Sequence, residues 1–277
     1  MIDTVSLRVK WVDSFHTPIA FILCAFLIVL WNGIVSAKAN EQVIEDREIN
    51  LVWSANHGQG EQVFFSNYKE HNWSIPVQIS DSEEFLFQPV SSVGNDGKIW
   101  VVWTGMQKKK ALLHFSVYEA SYWTKPQQID TGMDDNRAAT LIVDANNTPW
   151  IAWTAAEESY SDVFWSRWNG KIWDSPLKAH GDNSVPDIHP ALAIDESGQI
   201  ILSWQTYADG KYMTVSQRWD GQQWQELPHV SAENIRKEKK KKSEELPEIP
   251  AFITERYKAK IFIKDTIGAG AVPLSQF

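Results

Sequence analysis

Pro149-Trp150-Ile151-Ala152-Trp153, then Asp162-Val163-Phe164-Trp165-Ser166-Arg167-Trp168, the pair Asn169-Gly170, and Lys171-Ile172-Trp173 form the stretch on which the fold is decided. Its runs are rich in β-branched and aromatic residues and are bounded by turn residues, which marks strands. Asn-Gly between two such runs marks a hairpin. Working outward, Trp153 belongs to a column, Trp53, Trp103, Trp153 and Trp204, spaced by 50, 50 and 51 residues. A second column, Trp73, Trp123, Trp173 and Trp224, follows the first by 20. Tyr68, Tyr118, Trp168 and Trp219 form a third, 15 residues after the first. A period of this size means stacked supersecondary units.

Each unit reads as four short antiparallel strands, and four strands per repeat is a propeller blade. The expectation is therefore an all-β, propeller-like array of four blades, about 41–86, 87–136, 137–187 and 188–234, within a domain at 40–234. Ala39 to Glu48 is too polar to supply an inner strand for the first unit. An unpaired sheet edge invites association, so the run Ala259-Lys260-Ile261-Phe262-Ile263 in the tail, 251–277, is expected to close it. The other solutions are a ring completed by a second copy, as a homo-oligomer, or a partial ring. Residues 235–250, with Arg236-Lys237-Glu238-Lys239-Lys240-Lys241-Lys242, read as a solvated charged linker.

Residues 1–39 differ from the rest. Pro18 to Val35 carries no charge, Arg8 and Lys10 precede it, and Ala37-Lys38-Ala39 follows it. That is the layout of an export signal cut after Ala37 or Ala39, and it is also long enough to remain as a membrane anchor. Both readings place the bulk of the chain outside the cytoplasm. The one cysteine of the 277 residues, Cys24, lies inside this apolar run, so no disulfide framework exists to hold the remainder.

Residues 40–234 hold 27 acidic and 13 basic side chains. Phosphate contacts dominate nucleic-acid affinity, so a body this acidic is not expected to bind nucleic acid. The loops that lead from one unit to the next carry Asp81, Glu83 and Glu84; Asp130, Asp134 and Asp135; and Asp182 and Asp187, followed by His189. Clustered hard oxygen ligands suit Ca²⁺, so Asp130, Asp134 and Asp135 are the candidate calcium ligands, with no other cofactor indicated. Arg137, Asp135, Asp187, His189 and Trp168 are the candidate ligand-binding residues. Trp165 and Trp168, three apart on one strand, must face opposite sides, which leaves at most one for a sugar.

His189-Pro190-Ala191-Leu192-Ala193-Ile194-Asp195-Glu196-Ser197-Gly198, the strand ending at Trp204 and the later Trp-x-Gly-x-x-Trp hairpin resemble the blades of sialidase-like, BNR-type exported β-propellers. They are also similar to tryptophan-rich propeller lectins. Asp-box repeats read Ser-x-Asp-x-Gly-x-x-Trp; here Gly97-x-x-Trp100 keeps the end, while Val93 and Asn95 replace the Ser and Asp. Sialidase chemistry, as the resemblance implies it, needs three arginines converging on a carboxylate. Arg167 and Arg218 share one column of successive blades and are therefore rotated apart, leaving Arg137 alone near a blade entrance. The sequence thus favours a non-catalytic binding protein whose partner is a glycan or an envelope protein. A sialidase-like glycosidase and a structural remnant without ligand are the rivals.

Overall fold

A computed structural model describes residues 4–8, 48–56, 60–81, 85–157, 160–181 and 183–228. These form four antiparallel sheets and, among the described residues, no helix. The first holds β1 (Thr4–Arg8), β2 (Glu48–Asn56), β3 (Glu61–Lys69), β4 (Asn72–Trp73) and β5 (Val77–Gln78); the second holds β6 (Phe85–Val93), β7 (Ile99–Gln107), β8 (Lys110–Glu119), β9 (Tyr122–Trp123) and β10 (Gln127–Gln128). The third comprises β11 (Asn136–Val143), β12 (Pro149–Glu157), β13 (Tyr160–Arg167) and β14 (Leu177–Lys178), and the fourth β15 (Asp187–Ile194), β16 (Ile200–Ala208), β17 (Lys211–Trp219) and β18 (Trp224–Glu226). Each repeat unit is thus one meander, and the array is propeller-like. No helix of the described residues is long and apolar enough to cross a membrane; Pro18 to Val35 lies outside them, as do the linker and the tail with Ala259 to Ile263.

The open edge of the first sheet is filled differently from the expectation. β1 pairs antiparallel with β2, from Thr4 opposite Val52 to Arg8 opposite Glu48, in the place that β6, β11 and β15 take in the other sheets. Thr4-Val5-Ser6-Leu7-Arg8 alternates polar and apolar residues with the strand period of two. That pattern is short, and the basic flank of the apolar run that follows masks it.

Stacking of successive sheets is governed by the aromatic columns. Trp53, Trp103, Trp153 and Trp204 lie on the second strand of each sheet and are buried. Trp168 and Trp173 on the third sheet close around Trp100 and Phe115 of the second, with Trp100 and Trp168 at 5.3 Å between centroids. Trp219 and Trp224 grip Trp150 and Trp165 in the same way one step on, at 5.3 Å for Trp165 and Trp219. Between the first two sheets the clamp is lighter, with Phe65 against Trp123 at 5.0 Å. Tilted and edge-on rings of this kind add about 0.5–1.5 kcal/mol per pair beyond the area they bury.

The inner strands are joined to each other by hydrogen bonds. Val143 N donates to Ser92 Oγ and Leu192 N to Thr140 Oγ1, at 2.9 and 3.3 Å. Ala138 N donates to Gln88 Oε1 at 3.0 Å. Each inner strand from β6 onward also carries a bulge at the same place, where Gln88, Ala138 and His189 have φ of 51, 52 and 54°. A left-handed backbone at a residue other than glycine costs about 1–2 kcal/mol, so its recurrence in three sheets is a built feature of the repeat.

Candidate functional site

The strands present two ends, and the sequence candidates fall mostly on one of them. At the end where one unit leads into the next, Asp130 Oδ1 accepts from Gly132 N. Asp134 pairs with Lys110 at 2.8 Å, and Arg137 Nε pairs with Asp135 at 2.6 Å. Each of the three aspartates thus has its own local partner. His189 is exposed at the β15 bulge. Glu83, Glu84 and Asp182 lie outside the described residues. Of the sequence candidates at this end, the structure brings together Arg137 with Asp135, and sets Asp187 in a separate cluster at the same end.

Asp187 opens β15 and is 1% exposed. Trp204 Nε1 donates to its Oδ1 at 2.9 Å, and Asn183 Nδ2 to its Oδ2 at 2.8 Å. His180, from the segment after β14, stacks on the Trp204 ring at 5.5 Å and brings Nε2 to 2.9 Å from Asp187 Oδ2. Asp162, near the start of β13, is the third member, with Oδ1 at 3.8 Å from His180 Nε2 and Oδ2 at 3.2 Å from Lys178 Nζ. The Asp187 carboxylate beside it raises the His180 pKa. Burial alone would raise the Asp187 pKa, but hydrogen bonds from His180, Asn183 and Thr206 outweigh it and hold the carboxyl below its usual range.

Sequence reading passed over Asp162 and His180, and the repeat could have found them. The columns Gln62, Leu112, Asp162 and Ser80, Asp130, His180 run through the first three sheets, with Leu86, Asn136, Asp187 opening the next. In the first sheet Ser80 Oγ donates to Gln62 Oε1 at 2.8 Å. In the second, Asn136 Nδ2 donates to the Ala111 and Met133 carbonyls. Only in the third are all three positions titratable.

The opposite end is built from turns and hairpins. Asp144 Oδ1 accepts from Asn146 N and Thr148 N, while its Oδ2 accepts from Trp150 Nε1 at 3.1 Å. Asp195 organises the matching turn of the fourth sheet through Ser197 and Gln199. Asn169 Oδ1 and Asp220 Oδ1 hold the hairpins that follow β13 and β17. Between these turns of the third and fourth sheets lies an open cleft of about 860 Å³, whose walls include Trp168, Trp219, Arg167, Asn169, Asp144 and Asp220. A second hollow of about 710 Å³ shares Arg167, Asp174, Trp219 and Gly221 with it and extends toward Leu177 and Trp224. Arg167 lies over the Trp150 ring at 5.5 Å and is held by Asp174 at 3.2 Å. Hydrogen bonds from Gln223 N and Gln222 N lower the Asp220 pKa, so this wall stays anionic. Trp168 is therefore the one sequence candidate in the cleft, on the face of the sheet opposite Trp165, as their spacing requires.

Arg137, Arg167 and Arg218 each hold a carboxylate of their own, Asp135, Asp174 and Asp195; Arg137 opens β11 and Arg167 ends β13 of the third sheet, and Arg218 stands on β17 of the fourth. They do not make the converging set that the sialidase resemblance implies.

No protein-family profile matches the chain, and no curated protein matches it by sequence. Solved structures do match. A protein of unknown function from Dyadobacter fermentans superposes with a TM-score of 0.50 at 13% identity, over 65% of each chain. The α-L-arabinanase of Penicillium chrysogenum, solved with arabinobiose, superposes with a TM-score of 0.50 at 11% identity, over 65% of this chain and 63% of that one. The chain thus spans about 65% of the length of these neighbours. At such identities the likeness establishes the fold, and function has to come from the site.

Proposed function

We propose that the protein is a non-catalytic glycan-binding protein, and that a neutral sugar occupies the cleft between the third and fourth sheets. The observation that carries this reading is the cleft wall itself. Trp219, whose ring packs on Trp165, and Trp168, whose ring packs back on Trp100, stand beside Arg167, Asn169 and Asp220 in an open hollow of about 860 Å³. Planar apolar surface beside fixed hydrogen-bonding groups is the chemistry that a sugar ring offers in reverse, with its C–H face and its hydroxyls. Asp144, Asp174 and Asp220 line the same hollow, and their field opposes an anionic sugar such as a sialoside. The arabinanase neighbour holds a neutral disaccharide on a related fold, which is compatible with this choice. The charge-flanked apolar run at Pro18 to Val35 has the layout of an export signal, but β1 precedes it and pairs with β2, a pairing that cleavage after Ala37 or Ala39, or a membrane crossing at this run, would break.

Turnover is disfavoured by the state of the buried carboxylates Asp162 and Asp187. Asp187 is sealed from solvent and its proton is held less tightly than usual, the opposite of a general acid.

A glycan array probed with the full chain, alongside hydrolysis assays on arabinosides and sialosides, tests the proposal. Binding to neutral oligosaccharides without product is expected, with Arg167→Ala weakening it about 10-fold, the loss of one cation–sugar anchor worth roughly 1.4 kcal/mol. Hydrolysis that disappears in Asp187→Asn would overturn it.

A further inference from the structure

We propose that Asp162, His180 and Asp187 form a binding site for one divalent first-row cation, with Zn²⁺ the best match. Three donor atoms converge there: His180 Nε2, Asp187 Oδ2 and Asp162 Oδ1, all within 4.8 Å of one another. Two observations besides the clustering of acids point to a ligand. Asp162 is only 7% exposed, and its Oδ1, which faces His180 Nε2 at 3.8 Å, is buried without a hydrogen-bond partner. His180 Nδ1 contacts the Gly181 carbonyl. A carbonyl only accepts, so that contact places a ring proton on Nδ1, and Nε2, which faces the two carboxylates, holds either a second proton or a cation in its place. Nε2 comes within 2.9 Å of Asp187 Oδ2 without an aligned hydrogen bond. A cation that displaces the Nε2 proton meets all three of these atoms at one point.

The surroundings match those of a metal site. Histidine ligands commonly give their other ring N–H to a backbone carbonyl, and ligating carboxylates are fixed by further hydrogen bonds. Here Gly181 takes the first role. Trp204 Nε1 and Asn183 Nδ2 fix Asp187, and Lys178 Nζ holds Asp162 Oδ2, leaving Oδ1 for the ion. Metal bonds of about 2.0–2.2 Å at tetrahedral angles put ligand atoms about 3.4 Å apart; the 2.9 and 3.8 Å separations bracket that value. One imidazole with two carboxylates suits Zn²⁺ better than Ca²⁺, which takes oxygen ligands in greater number. The ion would tie β13, β15 and the segment between them, at the junction of the third and fourth sheets.

The test is uptake of Zn²⁺ by the full chain after dialysis against chelator, read by titration calorimetry and by metal content. One ion per chain is expected, with Asp162→Asn and His180→Gln each weakening binding on the order of 100-fold, the scale of losing a metal ligand or its support. Co²⁺ substituted into the unaltered chain should show the visible bands of a four-coordinate nitrogen and oxygen site, which serves if a variant fails to fold. Absence of saturable uptake, uptake unchanged in both variants, or uptake lost instead in Asp134→Asn and Asp135→Asn would overturn the assignment.

Discussion

The two ends of the strands obey different rules. At the hairpin end every sheet repeats one device, an aromatic pair that bridges the hairpin: Tyr68 with Trp73, Tyr118 with Trp123, Trp168 with Trp173 and Trp219 with Trp224, all with centroids 5.3–5.7 Å apart. At the opposite end the equivalent positions change from sheet to sheet, from Gln62 and Ser80 through Leu112 and Asp130 to Asp162 and His180. Positions that must stack neighbour on neighbour are held constant by packing. Positions that face a loop junction are released from that constraint, and there a particular chemistry can be placed once.

The sharpest way to break this comparison is to cut a repeated position. Trp153 is fully buried, so Trp153→Ala is expected to cost about 3–5 kcal/mol, the large-aromatic core value. Thermal or urea melts read it, and a loss under about 1 kcal/mol would place the residue with ordinary surface positions. Almost as large is the expected effect at the variable end. Asp187→Ala leaves His180 and Asp162 without their partner in a buried site, a change worth about 3–5 kcal/mol. Equal melts for Asp187→Ala and the unaltered chain would show that the cluster is not part of the folded core.

A finer contrast comes from Trp→Phe changes in one column. Trp204 Nε1 donates to Asp187, whereas Trp153 Nε1 is buried without a partner. Trp204→Phe should therefore cost about 1–3 kcal/mol more than Trp153→Phe, the penalty of an unsatisfied buried carboxylate oxygen. Equal costs would mean that the column is uniform at both ends of the strands.

The smallest effect concerns pH. The Ser197 hydroxyl and then Gln199 N hold Asp195 below its usual pKa. A depressed carboxyl contributes stability that is present above its unfolded value near 4 and is lost as pH falls through the lower folded value. Melts between pH 5 and 2 should thus show a shallower acid decline in Asp195→Asn than in the unaltered chain; parallel declines would contradict the role of this turn.

Much of the fold was legible because packing repeats. The Trp53, Trp103, Trp153 and Trp204 column gave the period, the sheet count and the buried face, since a large ring on a central strand has few places to go. Hairpin chemistry was legible only in part. Asn169-Gly170 and Asp220-Gly221 do mark hairpins, yet their turns are wider, with Asn169 N bonded to Ile172 O and Asp220 N to Gln223 O. Of the tight two-residue turns among the described residues, Asp209-Gly210 carries the glycine signal, whereas Glu70-His71 and Ala120-Ser121 adopt φ of 49–72° with no glycine, as does Lys108-Lys109 with φ of 48 and 72°. At Glu70-His71 and Ala120-Ser121 an aromatic pair sits beside the turn. There the aromatic pair fixes the register and overrides local preference. β1 was illegible because five alternating residues beside a basic flank read more strongly as a leader. His180 was illegible because a lone histidine in a loop carries no pattern until its column is compared across sheets.

The central claim is that a neutral sugar binds at the hairpin end of the third and fourth sheets. It is tested most directly by titrating a neutral oligosaccharide into the protein labelled at its tryptophan indoles and following their nitrogen-bound protons by NMR. Saturable shifts at Trp168 and Trp219, with Trp53 and Trp103 unmoved, are the result this account predicts. Saturable shifts centred on Trp204 beside His180, or no saturable shift at any indole, would contradict it.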